Sequence, residues 1–438
     1  MNKGNPIILL SLGLTSMLAA FHWHHNYTHA APNTMATPTA ISQTQAIVTA
    51  ANTFLHALNV EQLAKVQFSF TAQKAATVAR FKRSGENEVV PFAPEDYARV
   101  NTSSHQQHEG QPGPGNRPGG GPGGHPPQPG DKPGQGPGPG GPGKGMGPAE
   151  GFVGEQYGQA VWSNYPVSDV LRPGLQLGSL NASQRKAAMH LLEVMLSPKG
   201  YQKVLEIMGS DQVLFEGGTP FASGINRYTI GIFGQPNTST PWMIQFGGHH
   251  LGLNVVIAGA HGSSTPTLTG AQPAIYTAHG KTVRVLAGEN DKAFTLLDAL
   301  NDTQRKQAIL NYHVDDLVLG PASGGKTIVP EGLKASAMNA QQRTMLLDLI
   351  AEWTGIVNDA YSKARMEDIK AGLEETYFAW SGPTTHQPGK NGSSYYRIQG
   401  PKLVIEFSPQ GVGGDPTMHV HTIYRDPTNE YGHAFTGQ

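Results

Sequence analysis

The sequence predicts an α+β fold: mixed strands and capped helices in one large domain, with a disordered Gly/Pro-rich insert. Three observations lead there. Near-copies of one helix-start signal recur at irregular spacing, strand-like runs lie between them, and no repeating βαβ rhythm orders the two. A length of 438 residues suits a large domain. The 31 Lys and Arg against 32 Asp and Glu leave no basic excess to displace the counterions of a nucleic acid, so nucleic acid is excluded as a partner. Only 14% of residues are charged and none is cysteine, which removes disulfides, thiolate zinc knuckles, iron–sulfur clusters and cysteine nucleophiles. Histidine, with 18 copies, is the enriched group able to do chemistry.

The N-terminus reads as an export signal. Lys3 gives a short basic start, and the apolar run Ile7 to Phe21 suits the core of a signal better than a membrane span. Thr28 and Ala30 before Ala31 mark a cleavage point, giving a signal peptide over 1–30. The alternatives are a cut after Ala20 or an uncleaved anchor. The expected location is periplasmic or secreted. No later segment has eighteen consecutive apolar residues, so no membrane span is expected after signal removal.

Residues 110–148 hold 17 Gly and 12 Pro without the every-third-residue glycine of a triple helix, and so cannot bury a core. Patterned sequence lies on both sides. The stretch reads as a long loop inserted in one fold, with an interdomain linker as the alternative. The main domain is then formed by 41–109 and 149–438.

The helix-start signal appears as Leu180-Asn181-Ala182-Ser183-Gln184-Arg185, Leu300-Asn301-Asp302-Thr303-Gln304-Arg305 and Met338-Asn339-Ala340-Gln341-Gln342-Arg343, with a partial copy at Leu58-Asn59-Val60-Glu61-Gln62. Asn can accept from the free amides of the first turn, and Gln three residues later can reach back to the cap. Apolar stripes such as Ala187, Leu191, Val194 and Met195 follow at the helical period. Strands are predicted at Tyr228 to Phe233, Trp242 to Phe246, Leu251 to Ala258, Val283 to Leu286, Tyr395 to Ile398, Leu403 to Phe407 and Met418 to Tyr424.

The strongest chemical signal is His419-Val420-His421-Thr422-Ile423-Tyr424-Arg425. Alternate residues of a strand share a face, so His419 and His421 can offer two imidazole nitrogens to one ion, with Arg425 on the same side. Glu406 is an ionisable residue in the otherwise apolar run Leu403 to Phe407, and it is read as a ligand or acid–base partner; a structural Glu406–Arg425 ion pair is the alternative. A second site is Gly247-Gly248-His249-His250. Neighbours on a strand face opposite ways, so one of His249 and His250 is expected to join the C-terminal pair unless the glycines bend the chain. If His250 turns inward, Gly252 would leave room for a ligand between it and Asn254. His261, His279, His313 and His433 are weaker candidates.

Gly320-Pro321-Ala322-Ser323-Gly324-Gly325-Lys326-Thr327 satisfies the phosphate-loop pattern, but Pro330 and Gly332 stand where the required helix should begin. Nucleotide binding is therefore not expected. No Gly-x-Ser-x-Gly elbow and no His-Glu-x-x-His helix occurs.

The segment Trp242-Met243-Ile244-Gln245-Phe246-Gly247-Gly248-His249-His250-Leu251, followed by Thr265-Pro266 and Gly270-Ala271-Gln272-Pro273-Ala274, resembles the bacterial family catalogued as domain of unknown function 3500. So do Leu180 to Leu214 and the ending from Glu406-Phe407 through His419-Val420-His421 to Glu430-Tyr431-Gly432. The resemblance runs from about residue 45 onward, with the Gly/Pro insert as a departure. It implies neither a substrate nor an activity.

The residues point to an exported protein with a mononuclear site for a divalent transition metal (Zn, Cu or Fe), built from His419, His421 and one or both of His249 and His250. Glu406 and Arg425 are the expected catalytic residues, Arg425 orienting an anionic small-molecule substrate. The rival reading is a non-catalytic metal-binding or surface-interaction protein. Oligomeric state is not encoded in any of these signals.

Overall fold

The computed structural model describes residues 39–84, 88–93, 95–96 and 151–436. The signal peptide (1–30) and the Gly/Pro-rich insert (110–148) lie outside the described residues. The helices are α1 (Ala40–His56), α2 (Val60–Val66), α3 (Ala182–Met195), α4 (Pro198–Glu216), α5 (Ala287–Asp298), α6 (Asp302–Ala308), α7 (Ala340–Thr354) and α8 (Asp359–Ala371).

All four copies of the Asn-x-x-Gln signal begin a helix, and all four form a complete capping box. Asn59, Asn181, Asn301 and Asn339 accept from the amides of Gln62, Gln184, Gln304 and Gln342 at 2.8 to 2.9 Å, satisfying donors that a helix start leaves free. The glutamines do more than cap. Gln184 donates to Gln62 at 2.8 Å and to the Ala57 carbonyl at 2.9 Å, while Gln342 donates to Gln304 at 2.9 Å and to the Ala299 carbonyl at 2.7 Å. The helix starts are thus locked in pairs, α2 with α3 and α6 with α7.

Eight strands form the central run of a mixed sheet: β1 (Thr229–Phe233), β2 (Trp242–Gly247), β3 (Leu251–Ala258), β4 (Thr267–Ala271), β5 (Tyr377–Ser381), β6 (Tyr395–Gly400), β7 (Leu403–Pro409) and β8 (Val420–Arg425). Their order is β1-β2-β3-β4-β8-β7-β6-β5, with every neighbour antiparallel. This order reads the same from either edge. At one edge Gln67–Phe68 runs parallel to β1 and Leu175–Gln176 antiparallel to it; at the other, Ile309 bridges Trp380 of β5 in parallel and Leu333–Lys334 pairs antiparallel with β5. The helices follow the same rule, a capped pair preceding each four-strand meander. The fold is therefore two like halves related by a pseudo-twofold axis between β4 and β8, and the repeated helix starts mark equivalent places in each.

One sheet face packs on the helices through Leu251, Leu253, Val255, Ile257, Val420 and Tyr424. The other is covered in part by a smaller sheet, in which Thr77–Ser84 pairs antiparallel with Phe152–Tyr157, bringing the two sides of the insert together. Trp162 of that sheet packs on Leu268 and Ile423. No helix among the described residues is long and apolar enough to cross a membrane.

Two sequence expectations are corrected here. The strand expected at Val283 to Leu286 lies earlier, at Lys281–Arg284, paired with Ile275–Ala278 in a separate two-stranded sheet, and Leu286 adopts φ 59° as the chain enters α5. Gly252 does not leave ligand room, because a Cβ there would lie 3.2 Å from the Trp162 ring, and Asn254 is engaged with Gln245 and the Pro266 carbonyl.

Candidate metal centre

The β2–β3 turn is tight enough to redirect both of its histidines. The Gly248 amide donates to the Leu251 carbonyl at 2.9 Å, and a Cβ on Gly247 would stand 2.3 Å from that same oxygen. Only glycine permits this approach. His250 is thereby carried inward until it is wholly buried, and His249 stacks on it with ring centroids 3.9 Å apart. From the other half of the molecule, β8 presents His421, with His419 just before the strand on the same face. Gly270 of β4 lies opposite His421 in register. A Cβ on it would be 3.2 Å from a ring carbon of both His250 and His421, so its lack of a side chain makes space for the two imidazoles.

Three imidazoles converge through their Nε2 atoms. His250 Nε2 lies 3.3 Å from His419 Nε2, which lies 3.1 Å from His421 Nε2. On two of the rings an acceptor oxygen on the far side fixes a proton. His250 Nδ1 faces Asp211 Oδ1 at 2.6 Å, and His419 Nδ1 faces the Val412 carbonyl at 2.8 Å. Both oxygens accept hydrogen bonds, so both rings carry a proton on Nδ1, and in the neutral, ligating form Nε2 is left as a lone pair. Two lone pairs aimed at each other across 3.3 Å repel unless a cation lies between them. Zinc–nitrogen bonds of about 2.05 Å at a tetrahedral angle separate neighbouring ligand nitrogens by about 3.3 Å, which matches this spacing. His421 Nδ1 has the Asn164 side-chain amide at 3.5 Å.

Burial favours the neutral form of two of the rings. It lowers the pKa of His419 to about 3, helped by His250 and opposed by the Val412 carbonyl, and it depresses that of His421 well below the ordinary imidazole value. A neutral imidazole is the form that ligates. The group His250, His419 and His421 is buried and could hold a metal ion, and Asp211, His249 and His250 form a second such grouping. His249 is buried, and its Nδ1 has no hydrogen-bond partner. At 2.6 Å the Asp211–His250 contact is a hydrogen bond, shorter than two atoms bound to one ion would stand, so the second grouping is better read as support for the first.

The structure thus brings together four of the histidines singled out in the sequence and does not bring Glu406 or Arg425 to them. Glu406 is fully buried and accepts from the amides of Val318 at 2.9 Å and Leu319 at 2.7 Å and from the Tyr395 hydroxyl. Burial raises its pKa against those donors. Arg425 is not its partner. The Arg425 guanidinium binds Glu155, Glu430 and the carbonyls of Leu319 and Gly320, so all five of its N–H donors are engaged within the protein and none is left for an anionic substrate.

Residues not anticipated from sequence complete the centre. Asp211 comes from α4, with its second oxygen accepting from the Tyr228 hydroxyl at 2.7 Å. It lies on the buried face of α4 with Val204, Ile207 and Met208, and a carboxylate at a core position of a helix is the signal that could have revealed it. Val412 acts through its backbone, which no side-chain pattern encodes. The Gly320–Thr327 segment opens into no helix. Its Gly325 amide donates to Glu430 Oε2 at 2.9 Å, so a carboxylate occupies the place a phosphate would need.

Comparison with known families places this histidine frame. The family described as "Protein of unknown function (DUF3500)" matches residues 152–433, which is more than half of the chain. The chain is a member of the DUF3500 family. Within the DUF3500 match fall Asp211, both β2–β3 histidines, His419 and His421, whereas α1 and α2 precede it. No curated protein and no solved structure matches the chain.

Asp211→Asn tests the orientation of His250. The amide keeps the shape but loses the charge that holds the proton on Nδ1, and loss of such outer partners weakens metal binding by about 10- to 100-fold. Competition against a chelator of known affinity should show this drop with helix content unchanged; an unaltered dissociation constant would remove Asp211 from the centre.

Proposed function

We propose that this DUF3500 protein is an exported metalloenzyme whose histidine centre holds one divalent transition metal ion, zinc, copper or iron, and activates water or oxygen toward a small-molecule substrate. The observation that carries the reading is the convergence of the Nε2 atoms of His250, His419 and His421, two of whose rings, His250 and His419, have an acceptor oxygen against Nδ1. Three imidazole ligands, without a fourth from the described residues, are the donor set of catalytic rather than closed structural sites. Because imidazole ligates in its neutral form, the full charge of the ion would be available to lower the pKa of a bound water, which favours water-activating chemistry. In this scheme Asp211 holds the proton on His250 Nδ1 and the Val412 carbonyl holds the one on His419 Nδ1, so both rings are fixed in their ligating tautomer. Glu406 and Arg425 contribute by holding the 318–320 backbone in place. The export reading rests on Lys3 and the apolar run Ile7 to Phe21 and gives a periplasmic or secreted location.

Elemental analysis of protein purified without an affinity tag, beside His419→Ala and His421→Ala, is the test. One equivalent of metal is expected in the native chain and little in either variant. With about 10–16 kcal/mol spread over four ligands in structural zinc sites, each lost ligand costs roughly 3 kcal/mol, or more than 100-fold in affinity. Equal metal content in all three proteins, with folding verified by circular dichroism, would sink the reading.

A further inference from the structure

Beside His419 and His421 lie uncharged groups and one carboxylate. Gln410 stands opposite His419, its amide donating to the His419 carbonyl at 2.8 Å, and Ser408 stands opposite His421 in register. Both side chains share the sheet face of the histidines. Gln410 Nε2 donates to Ser408 Oγ at 3.2 Å and to Asp316 Oδ1 at 3.0 Å. Asn164 lies against His421, and the neighbouring Tyr165 is close enough to Asp316 to feel its charge. These groups form a ring at one side of the centre, and within it Asp316 is exposed to solvent.

The loop carrying Asp316 is fixed from below. Glu406 accepts the amides of Val318 and Leu319, two and three residues further on, and the Leu317 amide donates to Asp316 Oδ1 at 2.7 Å. Among the described residues no cation forms an ion pair with this carboxylate. Arg425 has no free donor, and the terminal nitrogens of Arg172 donate to the carbonyls of Ser163, Tyr165, Pro166 and Val170. Asp316 therefore subtracts from the positive charge that a divalent ion and the nearby Arg172 would present to an incoming molecule.

We propose that Asp316 sets the specificity of the centre, disfavouring anions and admitting a neutral, hydroxyl- or amide-bearing substrate that hydrogen-bonds to Asn164, Tyr165 and Gln410. The inference rests on the metal reading above and replaces the anionic substrate expected from Arg425.

The test uses the full chain loaded with cobalt(II), whose visible spectrum reports exchange at the ion, titrated with azide as an anionic probe and imidazole as a neutral one. Asp316→Asn should tighten azide about fivefold, as expected for removing one charge several ångströms away at the protein surface, and leave imidazole within about twofold. Asp315→Asn is the control. It removes the same formal charge from the adjacent residue, whose carboxylate is highly exposed and pairs with His313 at 3.0 Å, and it should change neither affinity. Azide affinities equal in all three proteins, or raised alike by both variants, would overturn the role of Asp316 while leaving the metal reading intact. A native chain that takes up no cobalt would overturn both.

Discussion

Replacing Arg425 with alanine should lower the stability of the protein by about 3–5 kcal/mol, the cost of breaking a buried ion pair from one side. Arg425 and Glu155 are both fully buried; two N–H···O contacts join them at 3.2 and 2.5 Å, and Glu430 adds a third at 2.6 Å. Burial works against the guanidinium charge, but the two carboxylates outweigh it and raise its pKa. Without the cation, Glu155 keeps the Tyr431 hydroxyl at 2.7 Å, the Leu319 carbonyl loses its side-chain donor, and the Gly320 carbonyl keeps the Ser323 amide at 3.2 Å. Urea denaturation measures the loss. Arg425→Lys should rescue little, because a single ammonium cannot present five donors in a fork. Adding Glu155→Gln to the alanine variant should recover part of the deficit by removing the uncompensated charge. A loss below about 1 kcal/mol would mean that the pair is dispensable, and Arg425 would again be free for another role.

Stripping the ion should have the second large effect. A ligand bound only to the folded state at about 100 times its dissociation constant adds about 2.7 kcal/mol. For a chain of this size that corresponds to a rise of roughly 3–5 °C in melting temperature. Chelator-treated protein should melt lower than native protein, zinc should restore the difference, and His421→Ala should not respond to zinc. A melting temperature indifferent to chelator and zinc would contradict a folded-state ion site.

Much of this architecture could be read from the chain, and the exceptions share a physical cause. The helix starts were legible because Asn and Gln at a three-residue spacing have one favoured use, and the strands at Trp242 and Leu251 because their apolar content is dense. β4 was not. Thr267-Leu268-Thr269-Gly270-Ala271 is buried throughout but mostly small or polar, since its Gly270 must admit two imidazoles and its Thr269 bonds Thr422 at 2.6 Å. The local burial pattern that identifies a strand is erased where the strand serves a site. That one of His249 and His250 would join His419 and His421 was expected from residue type, but not which ring turns inward or how: 169 positions separate His250 from His419, and the adjacency of β4 and β8 brings them together. The Arg425 and Glu406 assignments fell short for a related reason. A buried charge announces that it has a partner but not which one, and the partners were a glutamate 270 positions away and two backbone amides.

The matching of the two meanders has a corollary for how such a molecule tolerates change. At the end of β8 remote from the imidazoles, α8 contributes Arg365, bonded to Asp426 at 2.8 Å and to the Tyr424 hydroxyl at 2.8 Å, whereas at the histidine end α4 contributes Asp211. A scaffold made of twin units needs reactivity at one pole alone, which leaves the opposite pole to serve as ballast. Alterations there should be paid in rigidity while the chemistry continues undisturbed.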